Sequence, residues 1–254
     1  MKKIFLLAAL ALSVSLSLCG CGDKAKEKPI EEVTLENTED MSLLPQKPAV
    51  DTSSAEDIPP EDGMVRSKLT NEWVTADIGS LRPLAVMIPN DSTALPHYNI
   101  SNADILYECL VEGELTRLMA IYGDWTGLER VGNIRSCRDY YVYWAYEWDA
   151  IYCHAGGPFY IDEVISRKDT NNINALVAPS GVFFRSTDRS APQNLYLNGA
   201  DVAAEAQRLG YSMTPRTGYA DDNHFQFTSL SKPNTLEEYG SEAATALTID
   251  LSNA

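Results

Sequence analysis

Positive charge is scarce in this sequence. Its 254 residues hold 20 Lys and Arg against 36 Asp and Glu, which gives a formal net charge of −16. Sequence-independent binding of nucleic acid needs a basic surface, so we expect no nucleic-acid partner. An anionic membrane repels such a chain on average. Contact with a membrane therefore requires an anchor or a local basic site.

Cysteine and histidine are also few, with five and three residues. Only Cys109, Cys137 and Cys153 lie in the body of the chain, which is too few for a disulfide scaffold. An odd number leaves at least one free thiol or an intermolecular bond. No spacing of Cys or His resembles that of a zinc site, so we expect no metal site and no evident cofactor.

The main apolar run is too short to span a membrane comfortably. It covers 15 residues, Ile4–Leu18, and follows two lysines, a pattern typical of a signal peptide. The letters LCGC come next and resemble a bacterial lipobox. That resemblance implies cleavage before Cys21 and its modification by acyl chains such as palmitate, which give stable anchoring. We therefore expect a lipoprotein signal peptide over 1–20. An ordinary secretory signal is the alternative.

Composition divides the rest of the chain into three parts. Residues 21–63 contain no aromatic residue and are rich in Asp and Glu, so they predict a disordered acidic linker that keeps the domain clear of the lipid. Residues 64–230 predict the globular domain. Residues 231–254 end in an apolar strand-like run and are interpreted as the start of a truncated C-terminal domain.

Strand and helix patterns alternate within the globular part. The apolar run 84–88 predicts a buried strand, and 103–115 with 115–123 predicts a hairpin. Residues 138–148 predict a mostly buried helix, and 199–210 predict a helix that ends at glycine. The expected class is α/β or α+β, with a mixed sheet and flanking helices.

Several stretches in order resemble one known family. They are RPLAVMIPN, ADILYECLVEGELTRLMAIY, VGNIRSCRDYY, DAIYCHAGG and RSTDRSAPQNLY. Together they resemble the YerB-like lipoproteins of Gram-positive bacteria, a family of unknown function, over roughly residues 67–250. The resemblance implies lipid anchoring at the extracytoplasmic face of the cell membrane and a further β-rich domain. It brings no established reaction. The family usually has His where this chain has Gln193, so no role of that imidazole transfers.

Two pairs of arginines are the candidate ligand-binding residues. Arg135 and Arg138 lie next to the predicted start of a helix, whose first N–H groups are unpaired and whose dipole end is positive. Arg185 and Arg189 lie in another stretch typical of the family. If the pairs converge, they form a clamp for phosphate or carboxylate. In the alternative, the serine between the first pair caps the helix and the arginines make surface ion pairs.

Asp139 and His154 are the candidates for catalysis. Asp139 lies in the first turn of the predicted helix and could favour its dipole, pair with an arginine or hold a divalent cation. His154 ends a predicted strand just before two glycines and could be a base, a ligand or a satisfied buried residue. Cys137 could also act as a nucleophile with His154, or form a disulfide with Cys153.

These observations predict a lipid-anchored, extracytoplasmic envelope protein whose arginines bind a phosphate-bearing or cell-wall-derived anion. One alternative is a phosphotransferase-like enzyme, because IRSCRDYY has a short likeness to the arginine–aspartate segment of LytR-CpsA-Psr phosphotransferases. In that chemistry arginines neutralise a pyrophosphate, and Asp139 would hold Mg²⁺. The other alternative is a non-catalytic scaffold for another envelope protein. Whether the chain is an enzyme stays open.

Overall fold

The structure, a computed structural model, describes residues 58–220, 224–228 and 240 of the chain. The predicted signal peptide with Cys21, most of the acidic linker and the strand predicted near the end of the chain lie outside these ranges. In the described part, no helix combines the length and the hydropathy that crossing a membrane requires.

The described elements mix short strands with four helices. The strands are β1 (Met64–Arg66), β2 (Trp73–Thr75), β3 (Leu84–Pro89), β4 (Ile105–Val111), β5 (Leu115–Tyr122), β6 (Val131–Gly132), β7 (Ile151–His154), β8 (Asn172–Asn174), β9 (Phe183–Arg185) and β10 (Leu195–Leu197). The helices are α1 (Ala76–Gly79), α2 (Asp139–Glu147), α3 (Asp162–Ile165) and α4 (Gly199–Arg208).

A five-stranded mixed sheet forms the centre of the fold. Its strand order is β4-β5-β3-β7-β8. Strands β3, β7 and β8 are parallel, whereas β5 is antiparallel to both β3 and β4. This confirms the predicted hairpin and the predicted buried strand. The ends of β3, β7 and β8 and the turn between β4 and β5 therefore lie at one edge, which we call the carboxyl edge.

Apolar side chains cover both faces of this sheet. On one face, Val86 packs in a core with Val202 of α4, and on the other, Met87 packs in a core with Val142 of α2. Burial on both faces explains why β3 is apolar at every position instead of alternating. Helix α2 buries Tyr141, Val142 and Ala145, and Tyr143 is its one exposed residue, so the helix packs against the sheet as predicted, although most of its side chains are only partly buried.

A smaller antiparallel sheet, β6-β10-β9, and the hairpin β1-β2 complete the described fold. Helix α4 begins where predicted because the Asn198 side chain accepts hydrogen bonds from the N–H groups of Ala200 and Asp201. It ends just before Gly210, whose φ of +75° suits glycine. The mixed sheets and flanking helices confirm the predicted fold class.

Candidate anion-binding site

The segment between β6 and α2 runs across the carboxyl edge and is held there by its backbone. The Arg135 N–H donates to the Met87 carbonyl at 2.9 Å, and the Arg135 carbonyl accepts from the Ala155 N–H at 2.9 Å. The Cys137 N–H donates to the Gly156 carbonyl, also at 2.9 Å. Arg135 and Arg138 are therefore fixed at the ends of β3 and β7.

Arg135 is a half-buried cation without a direct partner. Within the described residues, its guanidinium makes no hydrogen bond and no ion pair. Burial lowers the pKa of Arg135, Arg185 lowers it further, and Asp91 opposes both. The side chain therefore carries a charge that nearby groups only partly neutralise.

Arg185 lies close enough to Arg135 for its charge to lower the pKa of Arg135, although 50 positions separate them in the sequence. It ends β9 and is paired in register with Leu195 of β10, whose carbonyl accepts the Ile134 N–H at 2.8 Å. The guanidinium of Arg185 donates to the Asn194 Oδ1 atom at 2.8 Å, and in the described part of the chain it makes no ion pair. The structure thus brings together the first arginine of each predicted pair.

Arg138 and Arg117 continue this row of cations. The Arg138 Nε atom donates to both carboxylate oxygens of Glu112, at 2.9 and 3.0 Å, and this pairing lowers the pKa of Glu112 to about 2. Arg117 of β5 donates to the Ser136 carbonyl at 2.7 Å. Burial and then the neighbouring Arg138 and Arg135 lower the pKa of Arg117. We call Arg117, Arg135, Arg138 and Arg185 the basic edge.

Arg189 has a different setting from the other predicted arginines. Its guanidinium donates to the carbonyls of Thr93, Leu95 and Pro96 at 2.8–3.1 Å. These bonds occupy its donors and hold the loop that follows β3. An open pocket of about 540 Å³ adjoins it, lined by Thr93, Asp188, Arg189, Ser190, Ala191, Pro192 and Gln193.

A chain of side-chain hydrogen bonds links this loop to Asn133, in the segment that contains Arg135. The buried Asn133 amide donates to Gln193 Oε1 at 3.0 Å, and the Gln193 amide donates to Asp91 Oδ1 at 3.2 Å. The hydrogen bond from Thr93 lowers the pKa of Asp91, and burial opposes it. The hydrogen bond from Gln193 and the charge of Arg135 lower this pKa by smaller amounts. Asp91, the carboxylate whose charge acts on Arg135, is therefore already hydrogen-bonded to Thr93 and Gln193.

Sequence reasoning missed Arg117 and Asp91, and it did not predict that Glu112 pairs with Arg138. Each is distant in sequence from the stretch that contains Arg135, and strand pairing brings them close. One signal was available for Arg117, which is the lone charged residue in a mostly apolar strand. A charge in such a strand usually has a structural or functional partner.

The two candidates for catalysis occupy different environments. His154 is fully buried, with Nδ1 2.9 Å from the Gly156 carbonyl and Nε2 3.2 Å from Asn172 Oδ1. Burial lowers its pKa, and this setting favours the structural role left open for it. Asp139 is half-buried in the first turn of α2. Among the described residues, no group of three or more His, Cys, Asp or Glu side chains is placed to hold a metal ion.

Cys137 and Cys153 are placed as un-ionised thiols. Burial raises the pKa of Cys137 to about 12 and raises that of Cys153 as well, so neither is a ready nucleophile. The two residues belong to cores on opposite faces of the sheet, and both are free. The alternative of a Cys137–Cys153 disulfide is therefore wrong for this structure.

Comparison with known proteins identifies similar chains. A family model described as "Protein of unknown function (DUF3048) N-terminal domain" matches residues 69–212. A Bacillus subtilis (strain 168) protein named "Putative lipoprotein YerB" is 29% identical over 196 residues, which cover 75% of this chain and 57% of the relative. The crystal structure of YerB from Bacillus subtilis matches with a TM-score of 0.57 and 28% identity, covering 60% of this chain and 52% of that one. The chain thus spans little more than half the length of these relatives.

Proposed function

Since the chain belongs to the DUF3048 N-terminal domain family of unknown function, as the resemblance to YerB-like lipoproteins predicted, we propose that it is a lipid-anchored envelope protein that binds a phosphate-bearing anion. Anchoring at the extracytoplasmic face of the membrane is supported by the lipobox-like LCGC sequence and by the name of the Bacillus relative. The anion binds at the basic edge.

The observation that carries this proposal is the pair of guanidiniums without an ion-pair partner at the carboxyl edge. In the described part of the chain, no carboxylate is bonded to Arg135 or Arg185, and the charge of Arg185 acts on Arg135, although acidic residues outnumber basic ones in the sequence. Keeping the half-buried Arg135 near a second cation is unfavourable unless an anion completes the site. The fork of guanidinium donors matches phosphate oxygens, and a pyrophosphate has enough oxygens to bind two guanidiniums.

The position of the basic edge in the fold supports the same proposal. Ligands of open sheets commonly bind at the carboxyl ends of parallel strands, and the segment with Arg135 joins two such ends. Helix α2 also begins there. Its N-cap residue, Arg138, makes no side-chain capping bond within the described residues, so the first N–H groups of the helix remain available to an anion.

Calorimetric titration with pyrophosphate tests the proposal. We expect Arg135→Gln to weaken binding by about 10- to 100-fold, because a hydrogen bond to a charged group contributes about 1.5–3 kcal/mol. Arg167→Gln is the matched control, since Arg167 is exposed and pairs with Asp169. The proposal fails if the folded wild-type chain binds no pyrophosphate, or if both variants weaken binding equally.

The phosphotransferase alternative makes a separate prediction in the same titration. If Asp139 holds Mg²⁺ with the ligand, adding Mg²⁺ should tighten pyrophosphate binding, and Asp139→Asn should abolish that gain. An affinity that Mg²⁺ leaves unchanged in both proteins favours binding through arginines alone.

A further inference from the structure

Large apolar side chains are unusually exposed around the carboxyl edge. Phe159 is 87% exposed, Val177 80%, Leu176 68% and Leu95 57%. Together with Ile58, these are the five most exposed large apolar residues in the described part of the chain. Apart from Ile58, they lie in the segments that follow β3, β7 and β8. We call Leu95, Phe159, Leu176 and Val177 the apolar rim.

The rim adjoins the basic edge on the side of Arg138. The ring of Phe159 lies 5.9 Å from that of Tyr160, centroid to centroid. The Tyr160 hydroxyl donates to Glu112 Oε1 at 3.0 Å, and Glu112 pairs with Arg138. The exposed Phe159 is thus connected to Arg138 through contacts of two intervening side chains, Tyr160 and Glu112.

The rim also adjoins the segment that contains Arg135. A Cβ atom on Gly156 would lie 2.6 Å from Leu176 Cδ1, so Leu176 packs directly against this glycine. The Gly156 carbonyl in turn accepts the N–H of Cys137. Near the loop after β3, the Leu95 carbonyl accepts from Arg189 at 2.8 Å. Apolar side chains therefore lie next to the segment of Arg135, near the pair of Arg138 with Glu112, and next to Arg189.

We propose that the basic edge and the apolar rim together form a peripheral membrane-docking surface. The guanidiniums of Arg135 and Arg185 bind the phosphates of anionic phospholipids, and Phe159, Leu176 and Val177 enter the interfacial region of the bilayer. This inference rests on the proposed function and names the source of the phosphate that the basic edge binds.

The chemistry of the surface fits a lipid better than a water-soluble anion. A small phosphate ligand would need the arginines alone, whereas exposed apolar groups next to cations match a headgroup with acyl chains beneath it. Arginine suits the headgroup region of a bilayer because its side-chain stem is apolar and its guanidinium binds phosphate. The acidic chain as a whole is repelled by an anionic bilayer, so a local basic surface is required for such contact.

The predicted lipid anchor makes weak docking sufficient. A chain already tethered to the bilayer meets the headgroups at a high effective concentration, so the edge needs only modest affinity of its own. Each arginine near an anionic surface contributes about fivefold to the partition coefficient. Docking would fix which edge of the domain faces the membrane.

Vesicle flotation tests the inference with residues 22–254, which lack the predicted signal peptide and the lipidated cysteine. The vesicles contain phosphatidylcholine alone or with phosphatidylglycerol. We expect binding only when phosphatidylglycerol is present. The partition coefficient should fall about 25-fold in Arg135→Gln/Arg185→Gln, and at least about tenfold in Phe159→Ser/Val177→Ser.

Two matched controls lie away from the carboxyl edge. Leu106 is 49% exposed near the opposite end of β4, and Arg167 is an exposed arginine that follows α3. Leu106→Ser and Arg167→Gln should leave the partition coefficient within about twofold of wild type. Circular dichroism of every variant verifies that it is folded.

The outcomes separate this inference from the proposed function. If the folded chain binds pyrophosphate but not phosphatidylglycerol vesicles, membrane docking is overturned and the anion site stands. If vesicle binding is unaffected by the rim variant and is abolished by free glycerol phosphate, the phosphate alone is recognised and docking is again overturned. If neither pyrophosphate nor vesicles bind, both proposals fail.

Discussion

Two groups of arginines lie at opposite ends of the same sheet, and they differ in whether a carboxylate neutralises their charge. At the amino end of β3, the fully buried Arg82 bonds Asp149 Oδ1 at 3.0 Å, and Arg216 Nε bonds the same oxygen at 2.8 Å. Arg82 also donates to Asn171 Oδ1 at 2.6 Å. At the carboxyl end, Arg135 makes no such bond within the described residues.

This difference distinguishes arginines that stabilise the fold from arginines that could bind a ligand. Burial lowers the pKa of Arg82 to about 10 in spite of Asp149, yet the carboxylate and the surrounding oxygens satisfy its donors. That group holds the fold together and has no donor to offer a ligand. At the basic edge Arg138 pairs with Glu112, but no carboxylate among the described residues bonds Arg135 or Arg185, which is the condition expected of a binding site.

Removal of Asp149 should have the largest effect on stability. Asp149→Ala leaves Arg82 buried without its carboxylate, so we expect a loss of about 3–5 kcal/mol in the free energy of unfolding. Urea denaturation followed by circular dichroism measures it. Asp169→Ala, which removes the carboxylate of an exposed ion pair, is the control and should cost much less. Equal losses would show that Arg82 does not depend on Asp149.

Removal of Glu112 should have a small effect on stability and a visible effect on binding. Its side chain is 61% exposed, so its pair with Arg138 contributes only about 0–1 kcal/mol to folding. Glu112→Gln frees the Arg138 guanidinium, and we expect pyrophosphate to bind about three- to tenfold more tightly. Calorimetric titration checks this. Weaker binding would mean that Glu112 positions Arg138 for the ligand.

The pH dependence of Glu112 should give the smallest signal. Its folded pKa of about 2 lies below its ordinary value of 4.5, so its stabilising contribution is present above pH 4.5 and is lost as the pH falls towards 2. The difference in unfolding free energy between wild type and Glu112→Gln should therefore shrink over this window. Urea denaturation at several pH values tests it, and a constant difference would contradict the ion pair.

The local elements could be predicted because their patterns are local. The apolar run of β3, the hairpin of β4 and β5 and the capped start of α4 each depend on residues close in sequence. The stretches typical of the family also predicted its identity, which the family model confirms over residues 69–212. The lipidation of Cys21 and the boundaries of the linker stay predictions, since Cys21 and most of the linker lie outside the described residues.

The relations within the site could not be predicted, because they depend on strand order. The order β4-β5-β3-β7-β8 brings Arg117 beside Arg135, and the pairing of β9 with β10 brings Arg185 there. Nothing local in the sequence sets either arrangement. The sequence placed Arg189 at the clamp for the same reason, because its hydrogen-bond partners are distant in sequence. In the structure its guanidinium donates to the carbonyls of Leu95 and Pro96.

The most direct test of the comparison is the free energy of unfolding of wild type and Arg135→Gln/Arg185→Gln, each with and without pyrophosphate. Without the anion, we expect the double variant to be at least as stable as wild type, because it removes two like charges that lie together. With the anion at a hundred times its dissociation constant, wild type should gain about 2.7 kcal/mol and the variant almost nothing. A variant that is less stable alone, or that gains as much as wild type, would contradict the account.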